Sequence, residues 1–340
     1  MKKTTLALVM AAALPAAAQA QTSLQLTGSV DVAVESLNKD ANGGTKGDLH
    51  VTDGVWGGSR VMIQGSEQIN EGLHGIFNLE MRVRADNGAQ SDAENFYSQA
   101  WVGVQGRLGT LRLGRQDTAL QLGMDSLGDL TEGSWYYNGD GLAGLIGTTN
   151  NTIGYESPEL GGLVLRASYA AGEAEAVAGA PAGTDFNKLN DLYSVSARGE
   201  FGIVGVSLGY QSSDGAEIDN IKSVDQFGGA LALNFERFGV GVGYVQSQQK
   251  RQNGLANLKT TGYSASTRFM LSDAGTVYLS YRHEDPDGDD NVESGLGLTY
   301  AHGLSKRTYV YGSVGLGKVE QGAGDDQKPR RLALGVRHFF

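Results

Sequence analysis

From residue 24 onward, apolar and polar residues alternate with period two along most of the chain. Leu24, Leu26, Val30, Val32 and Val34 share one parity, and Gln25, Thr27, Ser29, Asp31 and Glu35 take the other. Phe77, Leu79, Met81 and Val83 oppose Asn78, Glu80, Arg82 and Arg84, and Tyr263, Ala265 and Phe269 oppose Ser264, Ser266 and Arg268. Successive side chains of a strand point to opposite faces, so this period predicts strands with one apolar and one polar face. About sixteen such segments can be read. They fall at 24–36, 59–68, 72–86, 96–105, 110–117, 151–157, 163–173, 192–201, 203–213, 225–235, 239–248, 260–271, 276–284, 293–302, 307–318 and 329–340. The last carries the alternation to the final residue, with Leu332, Leu334, Val336, His338 and Phe340 on one face.

The connections also alternate. Long ones at 37–58, 87–95, 118–150, 174–191, 214–224, 249–259, 285–292 and 319–328 are separated by tight turns such as Ile69–Glu71, Arg107–Gly109, Gly202 and Ser272–Gly275. Long loops at one rim and short turns at the other are the arrangement of an outer-membrane β-barrel. The expected fold is therefore all-β: a transmembrane antiparallel barrel with long extracellular loops and short periplasmic turns. A cylinder of that many strands is too wide for side chains to fill, so its interior is polar and hydrated and its apolar face meets lipid.

The start of the chain supports export. Met1-Lys-Lys-Thr-Thr5 is basic, Leu6 to Ala18 is apolar, and Ala18-Gln19-Ala20 is a small-x-small site before Gln21. This predicts a signal peptide over 1–20, cleaved between Ala20 and Gln21, and a barrel domain over 21–340. The apolar run is too short to span a bilayer as a helix, and no later run is long enough either. Composition agrees: 51 glycines, 5 prolines and no cysteine in 340 residues suit long strands with close backbone approach and exclude disulfides. A net charge of −11 argues against nucleic acid as a partner.

Several stretches carry a resemblance. Ser59-Arg-Val-Met-Ile-Gln-Gly-Ser-Glu-Gln-Ile-Asn-Glu-Gly-Leu-His-Gly-Ile-Phe-Asn-Leu-Glu80 is similar to the second and third strands of general diffusion porins. Ser98-Gln-Ala-Trp-Val-Gly-Val104 with Gly109-Thr-Leu-Arg-Leu-Gly-Arg-Gln116 resembles the fourth and fifth, and Ile153-Gly-Tyr-Glu-Ser-Pro158 and the terminal Gly335-Val-Arg-His-Phe-Phe340 continue the match. The whole resembles Gram-negative porins of the β-proteobacterial type. The resemblance implies a homotrimer in the outer membrane, amid lipid and lipopolysaccharide, that passes ions and small hydrophilic solutes passively. It implies a third loop folded into the lumen, and a terminal Phe340 that serves as the signal read by the barrel-assembly machinery. No cofactor or metal is expected.

The longest connection, 118–150, is then the expected constriction loop, with Asp125, Asp129, Glu132 and Asp140 as its acids. Parity places Arg60, Arg82, Arg84 and Arg112 on the facing wall, together with Arg166, Arg198, Arg268, Arg282, Arg331 and Arg337. An arginine on the lipid face at mid-membrane costs a few kcal/mol, which accounts for the shared parity. Arg115 follows a glycine and serves either the pore or a subunit contact. Opposed charges across a narrowing orient water and favour small polar solutes; the arginine count leans toward anions. Strands one and two show no outward aromatics, which suits a wall packed against protein. Two other readings remain: a substrate-specific channel for a sugar or an anion, and a barrel enzyme. The five histidines are scattered, and nothing places one with a serine or a carboxylate pair as a barrel lipase or protease needs, which leaves the enzyme reading without a site.

Overall fold

The computed structural model describes residues 22–38, 49–91, 97–125, 142–172, 191–214, 221–252, 254–287, 292–320 and 326–340. The expected cleavage site at Ala20 and Gln21 lies outside them. In chain order the strands are β1 (Thr22–Leu37), β2 (Leu49–Asp53), β3 (Ser59–Asn70), β4 (Leu73–Val83), β5 (Gln99–Gly106), β6 (Gly109–Asp117), β7 (Thr148–Glu156), β8 (Leu163–Ala170) and β9 (Leu192–Phe201). They continue as β10 (Val204–Asp214), β11 (Ile221–Asn234), β12 (Phe238–Arg251), β13 (Leu258–Met270), β14 (Gly275–Asp287), β15 (Glu293–Gly303), β16 (Thr308–Val319) and β17 (Arg330–Phe339). One short helix, α1 (Ala119–Asp125), and a single turn of 3-10 helix, Leu142–Gly144, flank the middle of the third long connection.

All strands belong to one antiparallel sheet in which consecutive strands pair, except that β2 and β3 both pair with β1, and β1 also pairs with β17, which closes the cylinder. Sixteen wall places result because β2 and β3 share one. β2 pairs with the second half of β1 and β3 with the first. Val32 faces Asp53 while Ser29 faces Arg60, so three residues of β1 span seven of the opposing chain. The excess of four residues leaves the wall as an excursion around Val55 and Trp56. The five-residue β2 was read from sequence as part of a loop, because a run so short between glycines gives too little alternation to stand out.

The faces follow the parity expected. Leu208, Tyr263, Leu279, Val314 and Leu334 are exposed on the outside, whereas their neighbours Ser207, Ser264, Ser280, Ser313 and Ala333 are buried on the inside. So long a belt of exposed apolar side chains is what lipid, not water, covers. Tyr155, Tyr193, Tyr210, Tyr244, Tyr263, Tyr281 and Tyr300 stand on this outer face, where amphipathic rings suit the lipid–water boundary.

The seam is finished by the last residue. The Phe340 N–H donates to the Gly28 carbonyl at 3.1 Å and the Gly28 N–H donates to the Phe340 carbonyl at 3.0 Å. Its ring lies over Gly28 on the outer face, so close that a β-carbon there would come within 2.6 Å of Phe340 Cζ. Deleting Phe340 removes both backbone bonds and the ring from the one joint that closes the sheet. The expected result is a several-fold drop in the outer-membrane level of the protein, with unchanged single-channel conductance for molecules that insert; immunoblots of membrane fractions beside bilayer recordings check this.

Candidate functional site

The interior is where the chain spends its polar side chains, and two segments fold into it. The first is the described part of the third connection. Thr118 caps α1: its Oγ1 accepts from the Gln121 N–H at 3.1 Å. The next free N–H groups of the helix are taken by the wall rather than by water. Ala119 N donates to Ser168 Oγ at 3.0 Å and Leu120 N donates to Ser194 Oγ at 2.8 Å, while Ser196 Oγ donates to the Ala119 carbonyl at 2.6 Å. Serines on β8 and β9 thus satisfy groups that a helix start leaves open. The returning arm is held the same way. Ile146 N donates to Gln226 Oε1 at 2.9 Å, Gln226 Nε2 donates to the Gly144 carbonyl at 2.7 Å, Gln211 Nε2 donates to the Ile146 carbonyl at 2.9 Å, and Ala143 N donates to Glu284 Oε1 at 2.8 Å.

Apolar side chains finish the seat. Leu120, Met124, Leu142, Ala143, Leu145 and Val245 form one buried cluster, and Ile146, Ala170, Leu192 and Val224 a second. Glycines on the inner wall make room for them. A β-carbon at Gly209 would come within 2.7 Å of Leu120, and one at Gly262 within 2.8 Å of Leu142. Both arms of the loop are therefore inside the lumen, against β8 to β14.

The second segment is the excursion between β2 and β3. Gly54 turns with φ +71°, which only glycine adopts without strain. Asp31, fully buried on β1, accepts from the backbone N–H of Trp56 at 3.0 Å and of Gly57 at 2.7 Å, and from the Tyr311 hydroxyl at 2.6 Å. The Trp56 ring stands edge-on to Tyr309 and Tyr311 at 5.5 and 5.4 Å, and the Arg337 guanidinium lies 5.3 Å from its centre. Sequence reading did not find this segment. Its signal was Asp53-Gly54 followed by a tryptophan and a glycine pair, which is a turn pattern carrying one large apolar side chain.

The expected site residues are divided by the structure. Arg60 and Arg82 share inner parity and face each other across β3 and β4. Arg82 Nε meets Glu80 at 3.1 Å, and Glu80, buried, also accepts from Ser98 Oγ at 3.0 Å. Arg112 is inside as well, nearer the short-turn rim, 3.4 Å from Glu156 and over the Trp101 ring. Glu156 is shared with Arg166 at 2.7 Å. Of the other two, Arg84 departs from the expectation, and Arg115, for which the pore was one of two expected places, takes the other side of the wall. Arg84 is not on the wall: β4 ends at Val83, and Arg84 is exposed in the turn that follows, its N–H bonded to the Ala89 carbonyl. Arg115 is not in the lumen: it keeps the outward parity of Leu111 and Leu113, opposite Ala100, and donates to Asn150 Oδ1 at 2.7 Å. The extra residue of the β6–β7 bulge falls on β7, between Thr149 and Thr152, and Gln116 is inside by ordinary alternation with Arg112. Of the loop acids, Asp125 ends α1, exposed, and accepts from Gln121 Nε2 at 2.6 Å. Asp129, Glu132 and Asp140 lie outside the described residues.

The lumen arginines also have partners that sequence reading passed over. Glu80, Glu200 and Glu284 each sit two residues from Arg82, Arg198 and Arg282 and pair with them, and buried Glu35 holds Arg331 at 2.5 Å and His50 at 3.0 Å. The signal was available: residues two apart on a strand share a face. No group of metal-ligating side chains gathers among the described residues.

Comparisons with known proteins agree with this architecture. The family model described as Gram-negative porin matches residues 5–322. An outer membrane porin protein 32 of Delftia acidovorans is 28% identical, with all of both chains covered. An outer membrane porin protein of Bordetella pertussis is 26% identical, again over all of both chains. Among solved structures, an anion-selective porin from Comamonas acidovorans superposes with a TM-score of 0.79 at 24% identity, covering 94% of this chain and all of that one.

The seat of the third loop is testable through its central knob. Leu120→Ala empties a fully buried site, and such truncations cost about 2–5 kcal/mol. The barrel is expected to assemble normally while the loop loosens, seen as larger and noisier single-channel currents; a quiet channel of unchanged conductance would show that Leu120 does not hold the loop.

Proposed function

Because the chain belongs to the Gram-negative porin family, and so is an outer-membrane channel for small solutes rather than an enzyme, we propose that it is a passive diffusion pore, narrowed between the in-folded third loop and the arginines of β3 and β4. The observation that carries this reading is the position of the two around the wall. In a wall of sixteen places, β3 and β4 lie eight places from β11 and β12, and so face the side that the loop arms cover. The loop approaches from one side, and Arg60 and Arg82 project from the other.

The charge at the narrowing favours anions weakly. Arg82 keeps 44% of its side chain exposed while its partner Glu80 keeps 5%. The positive head therefore meets lumen water and the carboxylate does not. Asp125, at the end of α1, opposes this field and keeps the preference small, since rings of one sign select ions of the other. A solved relative carries the description anion-selective, which supports the same sign here. A homotrimer is part of the proposal. The outer faces of β1 to β3 show Leu24, Leu26, Val30, Val34, Leu49, Val51 and Ile63 and no tyrosine, a sector suited to protein contact rather than to the lipid boundary.

One recording tests these claims. In a planar bilayer with a salt gradient, the reversal potential is expected on the anion side, and Arg60→Gln with Arg82→Gln moves it toward or past zero. Insertion events are expected to show three equal conductance steps. Strong cation selectivity of the unaltered channel, or an unchanged potential in the double variant, would contradict the assignment of the arginines.

A further inference from the structure

A recess on the inner wall at the short-turn rim is not used by the narrowing. It measures about 530 Å³ and lies between the ends of β13 to β16 and the in-folded excursion. Trp56, Tyr278 and Tyr309 wall it, and Arg268 and Lys306 reach it. The ring centres of Trp56 and Tyr278 are 6.2 Å apart, and those of Trp56 and Tyr309 5.5 Å. The only acid on its lining, Asp273, is held by Arg237 across the rim at 3.0 Å. Arg268 differs from most of the other lumen arginines. Arg82, Arg112, Arg166, Arg198, Arg282 and Arg331 each meet a glutamate. The Arg268 Nε is buried with no hydrogen-bond partner among the described residues.

We infer that this recess is a low-affinity binding site for planar aromatic carboxylates, occupied as solutes leave the lumen at the short-turn rim. An unpaired guanidinium offers two parallel N–H donors to a carboxylate, the geometry in which arginine binds best. Aromatic walls give a planar ring offset-stacked or edge-on contact. An aliphatic acid of the same charge gains only the first, and a neutral aromatic only the second. The volume lies within the range of small-molecule pockets and exceeds one benzoate, so the ligand enters with water and leaves freely. Binding that permits release is what a conducting pathway needs. The site rests on the chain being an open channel, and the test separates the two.

The probe is sodium benzoate, with acetate as control, added to either side of the trimer in a planar bilayer. Benzoate is expected to interrupt the current at a concentration several-fold lower than acetate, more readily from the short-turn side. Arg268→Gln is expected to raise the half-blocking concentration of benzoate about tenfold, the size of one lost charge-assisted bond, and that of acetate by a similar factor, since the guanidinium is the contact the two acids share. Tyr278→Leu, which changes no charge, is expected to weaken benzoate and not acetate, and provides the measurement if Arg268→Gln fails to insert. Equal block by the two acids, or benzoate block unchanged in the variant, overturns the site while leaving the pore intact. Absence of any salt conductance in the unaltered protein overturns the pore itself.

Discussion

In a hydrocarbon layer, a backbone N–H or C=O without a partner costs several kcal/mol. The rest of this molecule depends on meeting that constraint. The sheet meets it by closing on itself, β1 against β17, with the last two bonds made by the terminal residue. Closure then dictates parity. Each strand has one face in lipid and one in the lumen, and the alternation along the sequence is the trace of that division. The apolar side chains that a soluble protein would bury are on the outside, and the buried positions of the strands are largely serine, threonine and glutamine.

An apolar core exists all the same, in an unusual place. Among the described residues it forms only where chain enters the lumen: around Trp56, around Leu120 and Leu142, and around Ile146. Each insertion needs the same three things. Small wall residues leave a socket, as Gly209 and Gly262 do. Wall hydroxyls and amides satisfy the inserted backbone, as Ser168, Ser194, Gln211 and Gln226 do. A few apolar knobs exclude water from the contact. The glycines therefore serve tight turns at the rim, sockets on the inner wall, and seats for aromatic rings on the outer face, as Gly28 does for Phe340. The paired arginines and glutamates line what is left of the lumen and tune its charge without filling it.

Much of this was legible in the sequence, for a physical reason. An arginine on the lipid face is so costly that one shared parity reveals the lumen. The structure keeps Arg60, Arg82, Arg112, Arg166, Arg198, Arg268, Arg282, Arg331 and Arg337 on the inner parity expected of them. Parity misleads where the strand ends: Arg84 lies one residue past β4. Arg115 keeps the outward parity that its offset from Arg112 gives it. The end of a strand has no strong local signature, since it depends on where pairing stops. The excursion around Trp56 and the seven-residue α1 were missed for a related reason. Each is too short for periodicity to register, and each is stabilised by contacts across the barrel rather than along the chain.

The central claim is that one parity of the wall faces water and the other lipid, along the whole height of the membrane. The chain has no cysteine, so single cysteines can be read without background. Ile63 and Gln64 are adjacent on β3, the first exposed on the outer face and the second partly exposed on the inner one, opposite Asn78. With a charged, membrane-impermeant thiol reagent applied to channels in a bilayer, Gln64→Cys is expected to react and step the current down, and Ile63→Cys to remain unreacted. Reaction at Ile63→Cys with none at Gln64→Cys, or equal reaction at both, would contradict the account.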